Sequence, residues 1–254
     1  MSFSICRPVL GSQLEQKGVR GEDNMAPRRF RDRREAGRLL AEKLSGYAGK
    51  PDVVVLGLPR GGVPVAYEVA RTLDAMLDVF LVRKLGVPGH EELAMGAVAS
   101  GGLRILNEEV VEQLGIPADQ IDAVAAKELE ELARRERLYR GGRPLPDLRD
   151  RTVIVVDDGL ATGATMRAAI GALRQAQPAR IIVAVPVAAP EIREEFKNLT
   201  DDIICGTTPE PFFAVGRWYI DFEQTTDDEV VALLAAQPRQ SIISPAATGP
   251  DQPG

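Results

Sequence analysis

The feature that most narrows what this chain can fold into is an alternation. Short apolar runs, DVVVLGL (52–58), LDVFLV (77–82), RTVIVVDD (151–158), ARIIVAVPV (179–187) and DIIC (202–205), take turns with stretches of helical period. The best of these runs are rich in Val and Ile and almost free of polar residues, as strands buried on both faces are. Helices are predicted around Ala36, Leu39, Leu40 and Leu44, and over 63–73, 118–139, 164–175 and 191–198. A short strand pair, AMGAVAS and LRILN, is predicted on either side of Gly101 and Gly102. Strands that alternate with helices pair in parallel through right-handed crossovers, with helices on both faces. The expected fold is therefore α/β, a doubly wound and mainly parallel sheet of roughly five strands flanked by helices.

Composition removes several function classes. A chain of 254 residues, 44% hydrophobic, can bury a large core. A net charge of −6 and a pI near 5.1 disfavour a general nucleic-acid binder. No apolar run approaches the ~20 residues that span a bilayer. Cys6 and Cys205 are the only cysteines and His90 the only histidine, so neither a disulfide framework nor a Cys/His metal site is supported. A reducing cytoplasm fits this usage, and neither nucleic acid nor membrane is expected as a partner. Residues 1–25 mix Gly, Gln, Glu and Lys without period and are expected to be a disordered extension, with Met25 a second candidate start. Residues 237–254 are rich in Pro, Ser and Gly and are expected to be a disordered tail, leaving 26–236 as the folded unit.

In sheets of this kind ligands sit at the carboxyl ends of the strands. The chemistry-bearing residues cluster at those ends: Asp157-Asp158 after one run, Pro59-Arg60-Gly61-Gly62 after another, Arg83-Lys84 after a third. Between Gly159 and Thr165 the chain turns from strand to helix, presenting free amides at the positive end of a helix dipole. Small residues let an anion approach, and the Thr162 and Thr165 hydroxyls add donors, so a phosphate monoester is the natural occupant. The adjacent carboxylates would repel phosphate but suit the hydroxyl donors of a sugar diol, or a hydrated Mg²⁺. Phosphate at one end and diol at the other describe a ribose 5-phosphate. Paired acids after a strand also occur in phospho-receiver domains and in other α/β enzymes. No P-loop and no G-x-G-x-x-G after a strand is present.

The stretch VIVVDDGLATGATM resembles the phosphoribosyl-pyrophosphate (PRPP) signature of type I phosphoribosyltransferases, and the resemblance extends from about Arg29 to Leu234. It implies that Asp157 and Asp158 hold the ribose hydroxyls and Mg²⁺, and that Gly159, Ala161, Thr162, Gly163, Ala164 and Thr165 hold the 5-phosphate. GLPRGG looks like the family's pyrophosphate loop, giving that role to Arg60, Gly61 and Gly62, with a cis peptide expected at Pro59-Arg60. LVRKLGVPGHEEL resembles the strand and mobile loop that bring further cations, here Arg83 and Lys84. Residues 86–102 are then expected to be a lid that excludes water, with His90 a surface loop residue. PFFAVGRWYIDF resembles the hood of purine-type members, at about 207–224. Phe213 would stack on the base, and Asp221 would bind metal through water, although one extra residue separates Gly216 from Asp221.

The implied reaction is displacement of pyrophosphate from PRPP by a nitrogenous base, through an oxocarbenium-like state, with Mg²⁺, Arg60 and Lys84 carrying the leaving diphosphate. The 6-oxopurine members carry an acid where this chain has Ala161, and adenine-type members carry Ala there, so the nucleobase-like acceptor stays open. Two other functions stay open as well: a non-catalytic PRPP-sensing module, and a hydrolase or phosphatase on the same fold. Relatives commonly pair as homodimers. The helix FRDRREAGRLLAEKL is read as a cap on the sheet in preference to a dimer contact.

Overall fold

The computed structural model describes residues 29–237; the expectations for 1–25 and for the tail beyond 237 lie outside the described residues. The elements run α1 (Arg33–Lys43), β1 (Val53–Gly57), α2 (Gly62–Leu73), β2 (Met76–Val79), β3 (Val82–Val87), β4 (His90–Ala99), β5 (Leu103–Leu106), α3 (Glu108–Leu114) and α4 (Ala118–Arg140). Then come β6 (Thr152–Val156), α5 (Ala164–Gln175), β7 (Arg180–Val187), α6 (Pro190–Phe196), β8 (Asp202–Thr207) and α7 (Asp227–Ala236). The expected sheet is present: five parallel strands in the order β2-β1-β6-β7-β8.

Alternate residues of its central strands feed two separate cores. Val54, Leu56, Val153, Val155, Ile181 and Val183 pack with Ile170 and Leu173 of α5. Val53, Val55, Ile154, Val156, Ile182 and Ala184 pack in a second cluster with Leu40 and Leu44 and with Val65, Val69 and Leu73 of α2. The apolar runs are unbroken because both faces of each strand are covered. α1 and α2 lie close together: a Cβ on Gly37 would come within 2.7 Å of the Val65 carbonyl oxygen. The Glu68 carboxylate between them is met by Arg71 at 2.6 Å, Arg38 at 3.6 Å and Arg34 at 3.7 Å. α1 therefore caps the sheet, as its sequence suggested.

The structure corrects the reading of residues 77–102 in two respects. The run LDVFLV is not one strand: β2 ends at Val79, and β3 begins at Val82 in a second, antiparallel sheet of order β3-β4-β5. Arg83 and Lys84 thus sit inside β3 and do not end a strand of the parallel sheet. Residues 86–102 are not a loop but most of a hairpin, turning near Pro88-Gly89 and running through β4 to Ala99. Leu85, Val87, Met95 and Val98 are buried against Ile121, Ala125 and Leu132 of α4. That apolar face is interrupted by register shifts on both sides of Gly86, which hide its period of two behind glycine, proline and charge.

The 23-residue α4 is the largest departure from a bare wound sheet. Its last turn is bolted to the core through Arg140, whose side chain is 1% exposed and pairs with Asp78 at 2.9 Å and Glu136 at 2.6 Å. Tyr139 adds a bond to Asp227 at the start of α7.

Candidate active site

β6 ends at Val156 beside the end of β1, and the ladder continues one step further as Leu58 N–H donates to the Val156 carbonyl at 2.9 Å. This register sets the loop Pro59 to Gly62 directly against Asp157-Asp158. The two glycines are required by that approach. A Cβ on Gly61 would lie 2.1 Å from Oδ2 of Asp158, and one on Gly62 would lie 2.7 Å from the Val156 carbonyl oxygen. The Pro59–Arg60 peptide is cis, as expected from the loop's resemblance. The Arg60 side chain is half-buried and has no hydrogen bond or ion pair among the described residues, a cation available to an anion.

Past the acids the chain is pinned to β7: Leu160 N–H donates to Val187 O at 2.9 Å, and Gly159 packs under Val215. The turn then rises into solvent. Ala161, Thr162, Ala164 and Thr165 are exposed, while Gly163 is buried in the left-handed conformation at φ 69° against Phe196. Gly163 is the N-cap of α5 and supplies no side-chain cap. Arg167 N–H, bonded to Gly163 O at 2.8 Å, is the first amide to enter the helical ladder. The amides before it belong to the group that every helix leaves without an internal partner, and here no side-chain hydrogen bond caps them.

The acids themselves are strained electrostatically. Burial, and then the charge of Asp158, push the Asp157 carboxyl well above the usual carboxylate range. Burial raises Asp158 as well, with the Arg33 guanidinium opposing the rise. Asp158 N–H donates to Oδ1 of Asp157 at 2.9 Å, and Tyr219 Oη donates to the Asp158 carbonyl at 2.6 Å. The two carboxylates supply hard oxygen ligands of the kind a divalent cation takes, and the Arg33 guanidinium competes with such an ion for Oδ2 of Asp158. Among the described residues no three His, Cys, Asp or Glu side chains gather to cage one, so an ion here would complete its shell with ligand oxygens and water.

Arg33 is a site residue that the sequence did not disclose. The first residue of α1, it reaches across 125 positions to place Nε 2.9 Å from Oδ2 of Asp158. It also donates to Glu223 O at 2.7 Å and stacks 3.9 Å above the Phe222 ring. Its only sequence signal was an arginine-rich run, which fixes neither orientation nor partner. Arg33 therefore joins the acid pair to the segment 219–223, where Tyr219 and Phe222 form a tilted ring stack with Phe30.

The remaining candidates are distributed unevenly. Arg83 lines a small cleft with Pro59, Thr165 and Arg135, and is paired with Glu128 at 2.7 Å. Lys84 is tied to its own hairpin, donating to Glu92 O at 3.2 Å. His90 begins β4 and is exposed, not in a loop. Phe213 is 69% exposed, with the Arg217 guanidinium over its ring at 5.1 Å from the centroid. Asp221 is exposed, accepts from Glu223 N–H at 3.1 Å, and lies on the segment that pairs with Phe30 and Arg31.

A parallel sheet with helices on both faces, whose carboxyl edge carries an acid pair, an arginine loop and a helix start without a side-chain cap, is that of a doubly wound α/β protein. The family model of the phosphoribosyl transferase domain matches residues 32–215, and the chain belongs to that family. It is 46% identical to the protein TT1426 of Thermus thermophilus, whose crystal structure it matches with a TM-score of 0.74 over 82% of this chain and 99% of that one. A protein of Mycobacterium tuberculosis, provisionally named a phosphoribosyl transferase, is 50% identical over 205 residues, 81% of this chain and 46% of its own length. The chain thus spans about half of that relative. The bifunctional protein PyrR of Chloroflexus aurantiacus is 35% identical over 136 residues, 50% of this chain and 65% of that protein.

Proposed function

We propose that the chain transfers the ribose 5-phosphate group of PRPP to a nitrogenous base, releasing pyrophosphate, in an Mg²⁺-dependent reaction. The observation that carries this reading is the single rim on which Asp157-Asp158 stand between Arg60 and the uncapped amides of 162–165. The amides and the Thr162 and Thr165 hydroxyls bind the 5-phosphate, and the acid pair accepts from the ribose hydroxyls. Arg60, Gly61 and Gly62 face the diphosphate, and Phe213 offers its exposed ring to the acceptor. Asp157 and Asp158 would hold Mg²⁺, with Asp221 reaching it through water; the ion supplies charge neutralisation to the leaving group. Catalysis on this reading rests on positioning and charge stabilisation, with no covalent nucleophile.

A cytoplasmic setting is part of the same reading. No described helix is long and apolar enough to cross a membrane. Burial pushes the Cys205 thiol up to about 11, so it is inert as a nucleophile at neutral pH. Relatives commonly pair as homodimers, and light scattering decides whether this chain does.

The test is pyrophosphate release from PRPP, with Mg²⁺, in the presence and absence of a panel of nucleobases. Base-dependent release is the expected result. Binding without release makes the chain a PRPP-sensing module, and base-independent release makes it a hydrolase. Asp158→Asn should weaken PRPP binding with the fold intact, and unchanged affinity by calorimetry removes the assignment.

A further inference from the structure

Residues 128, 131, 135 and 139 lie along one face of α4 at helical spacing, and Arg135 among them reaches the cleft beside the Arg60 loop. Arg135 borders the same small cleft as Pro59 of the Arg60 loop and Thr165 of the phosphate turn, with Arg83 entering from β3. Arg135 and Arg60 both act on the Tyr139 hydroxyl: burial and its bond to Asp227 push it up to about 12, and the two guanidiniums oppose the rise. Pro59, the chain neighbour of Arg60, and Arg135 of α4 thus line one cleft although they are remote in sequence.

The other charges on this face are countered. Arg83 is held by Glu128, and Arg135 by Glu131 at 2.8 Å. Glu131 keeps a second partner, Arg134 at 2.7 Å, so Arg135 can leave it without stranding a lone acid. Arg135 is about one-third exposed, enough to reach a ligand from the solvent side. The mount is rigid: one turn further on, Arg140 and Tyr139 tie α4 to Asp78 and Asp227.

We propose that α4 contributes Arg135 as a diphosphate-binding residue, so that Arg60, Arg83 and Arg135 form a three-guanidinium rim for the phosphoanhydride half of the donor. The inference rests on the PRPP reading above and adds a residue to it. Guanidinium forks bind phosphoryl oxygens through paired donors, and a helix-mounted fork loses little freedom when it does so. The cation that a mobile lid would carry is here fixed in place before the ligand arrives.

The test compares the wild-type chain of 254 residues with Arg135→Gln, Arg135→Lys and Asp158→Asn by calorimetry with Mg²⁺ and two separate probes, inorganic pyrophosphate and ribose 5-phosphate. Thermal melts check that each variant is folded. Arg135→Gln should weaken pyrophosphate by about tenfold while ribose 5-phosphate changes less than about twofold. Arg135→Lys, which keeps the charge and loses the fork, should fall between Gln and wild type. Equal loss for both probes in Arg135→Gln, unchanged pyrophosphate affinity, or no pyrophosphate binding by wild type overturns the role of Arg135. Asp158→Asn reports on the other half: if ribose 5-phosphate binding survives it unchanged, the donor-site reading itself fails, whatever Arg135 does.

Discussion

Replacing Gly61 by alanine puts a methyl carbon 2.1 Å from Oδ2 and 2.8 Å from Cγ of Asp158, with Nε of Arg33 at 3.3 Å. Rotation of the carboxylate would free Oδ2 but not Cγ, so the whole group has to move. Restoring an ordinary contact of 3.4 Å at Oδ2 needs a displacement of about 1.3 Å. The Arg33–Asp158 pair, now at 2.9 Å, does not keep its geometry through such a shift. Overpacking of this kind costs about 1–3 kcal/mol, and in a domain of this size each kcal/mol lowers Tm by about 2–4 °C. The functional loss should be the larger effect, because the displaced carboxylate is the proposed partner of the ribose hydroxyls. Ribose 5-phosphate affinity should fall about tenfold or more, measured by calorimetry on protein shown by circular dichroism to be folded. Gly62→Ala is the internal comparison. Its Cβ meets backbone, Val156 O at 2.7 Å and Cα of Asp157 at 2.9 Å, so it should lower Tm further than Gly61→Ala does. A Gly61→Ala protein with wild-type Tm and wild-type affinity would refute the packing of this loop against the acids.

Arg140→Met leaves the largely buried Asp78 carboxylate, its side chain 14% exposed, without its guanidinium, and should destabilise by about 3–5 kcal/mol in chemical denaturation; adding Asp78→Asn should recover part of the loss. The acid pair predicts a pH dependence. With the Asp157 and Asp158 carboxyls raised, the native chain holds protons that the unfolded chain has already released, so stability falls as pH rises through their folded-state pKa values. Tm of the ligand-free protein should therefore drop from mildly acid to neutral pH, and Asp157→Asn should flatten that slope and raise Tm at neutral pH; an unchanged slope contradicts the electrostatics. Phe213→Ala removes a ring that is already 69% exposed, so Tm should hold within about 2 °C while acceptor affinity falls.

The amino-acid order was informative wherever neighbours in sequence are neighbours in space. Val153 to Asp158 is a strand and its own carboxyl end. Gly159 to Thr165 is one turn, and Arg60-Gly61-Gly62 another, so each local piece carried its chemistry openly. The reading failed at 77–102, where apolar residues at Leu85, Val87, Met95 and Val98 make a strand face only when the irregularity at Gly86 is known and α4 is there to bury them. α4 itself was legible as a helix, but its long polar face disclosed nothing of where it would lie.

What the sequence by itself determined was the layered α/β plan and the place of the acid pair, the Gly/Thr turn and the arginine loop at strand ends, because burial on both faces and turn chemistry are local properties written in residue type and spacing. Only the tertiary structure decided which distant side chains meet them: Arg33 on Asp158, Tyr219 under the same residue, and Arg83 and Arg135 beside Thr165. An arginine's partner is set by the packing of whole elements, α1 on the sheet and α4 over the hairpin, and no local pattern along the chain encodes that geometry.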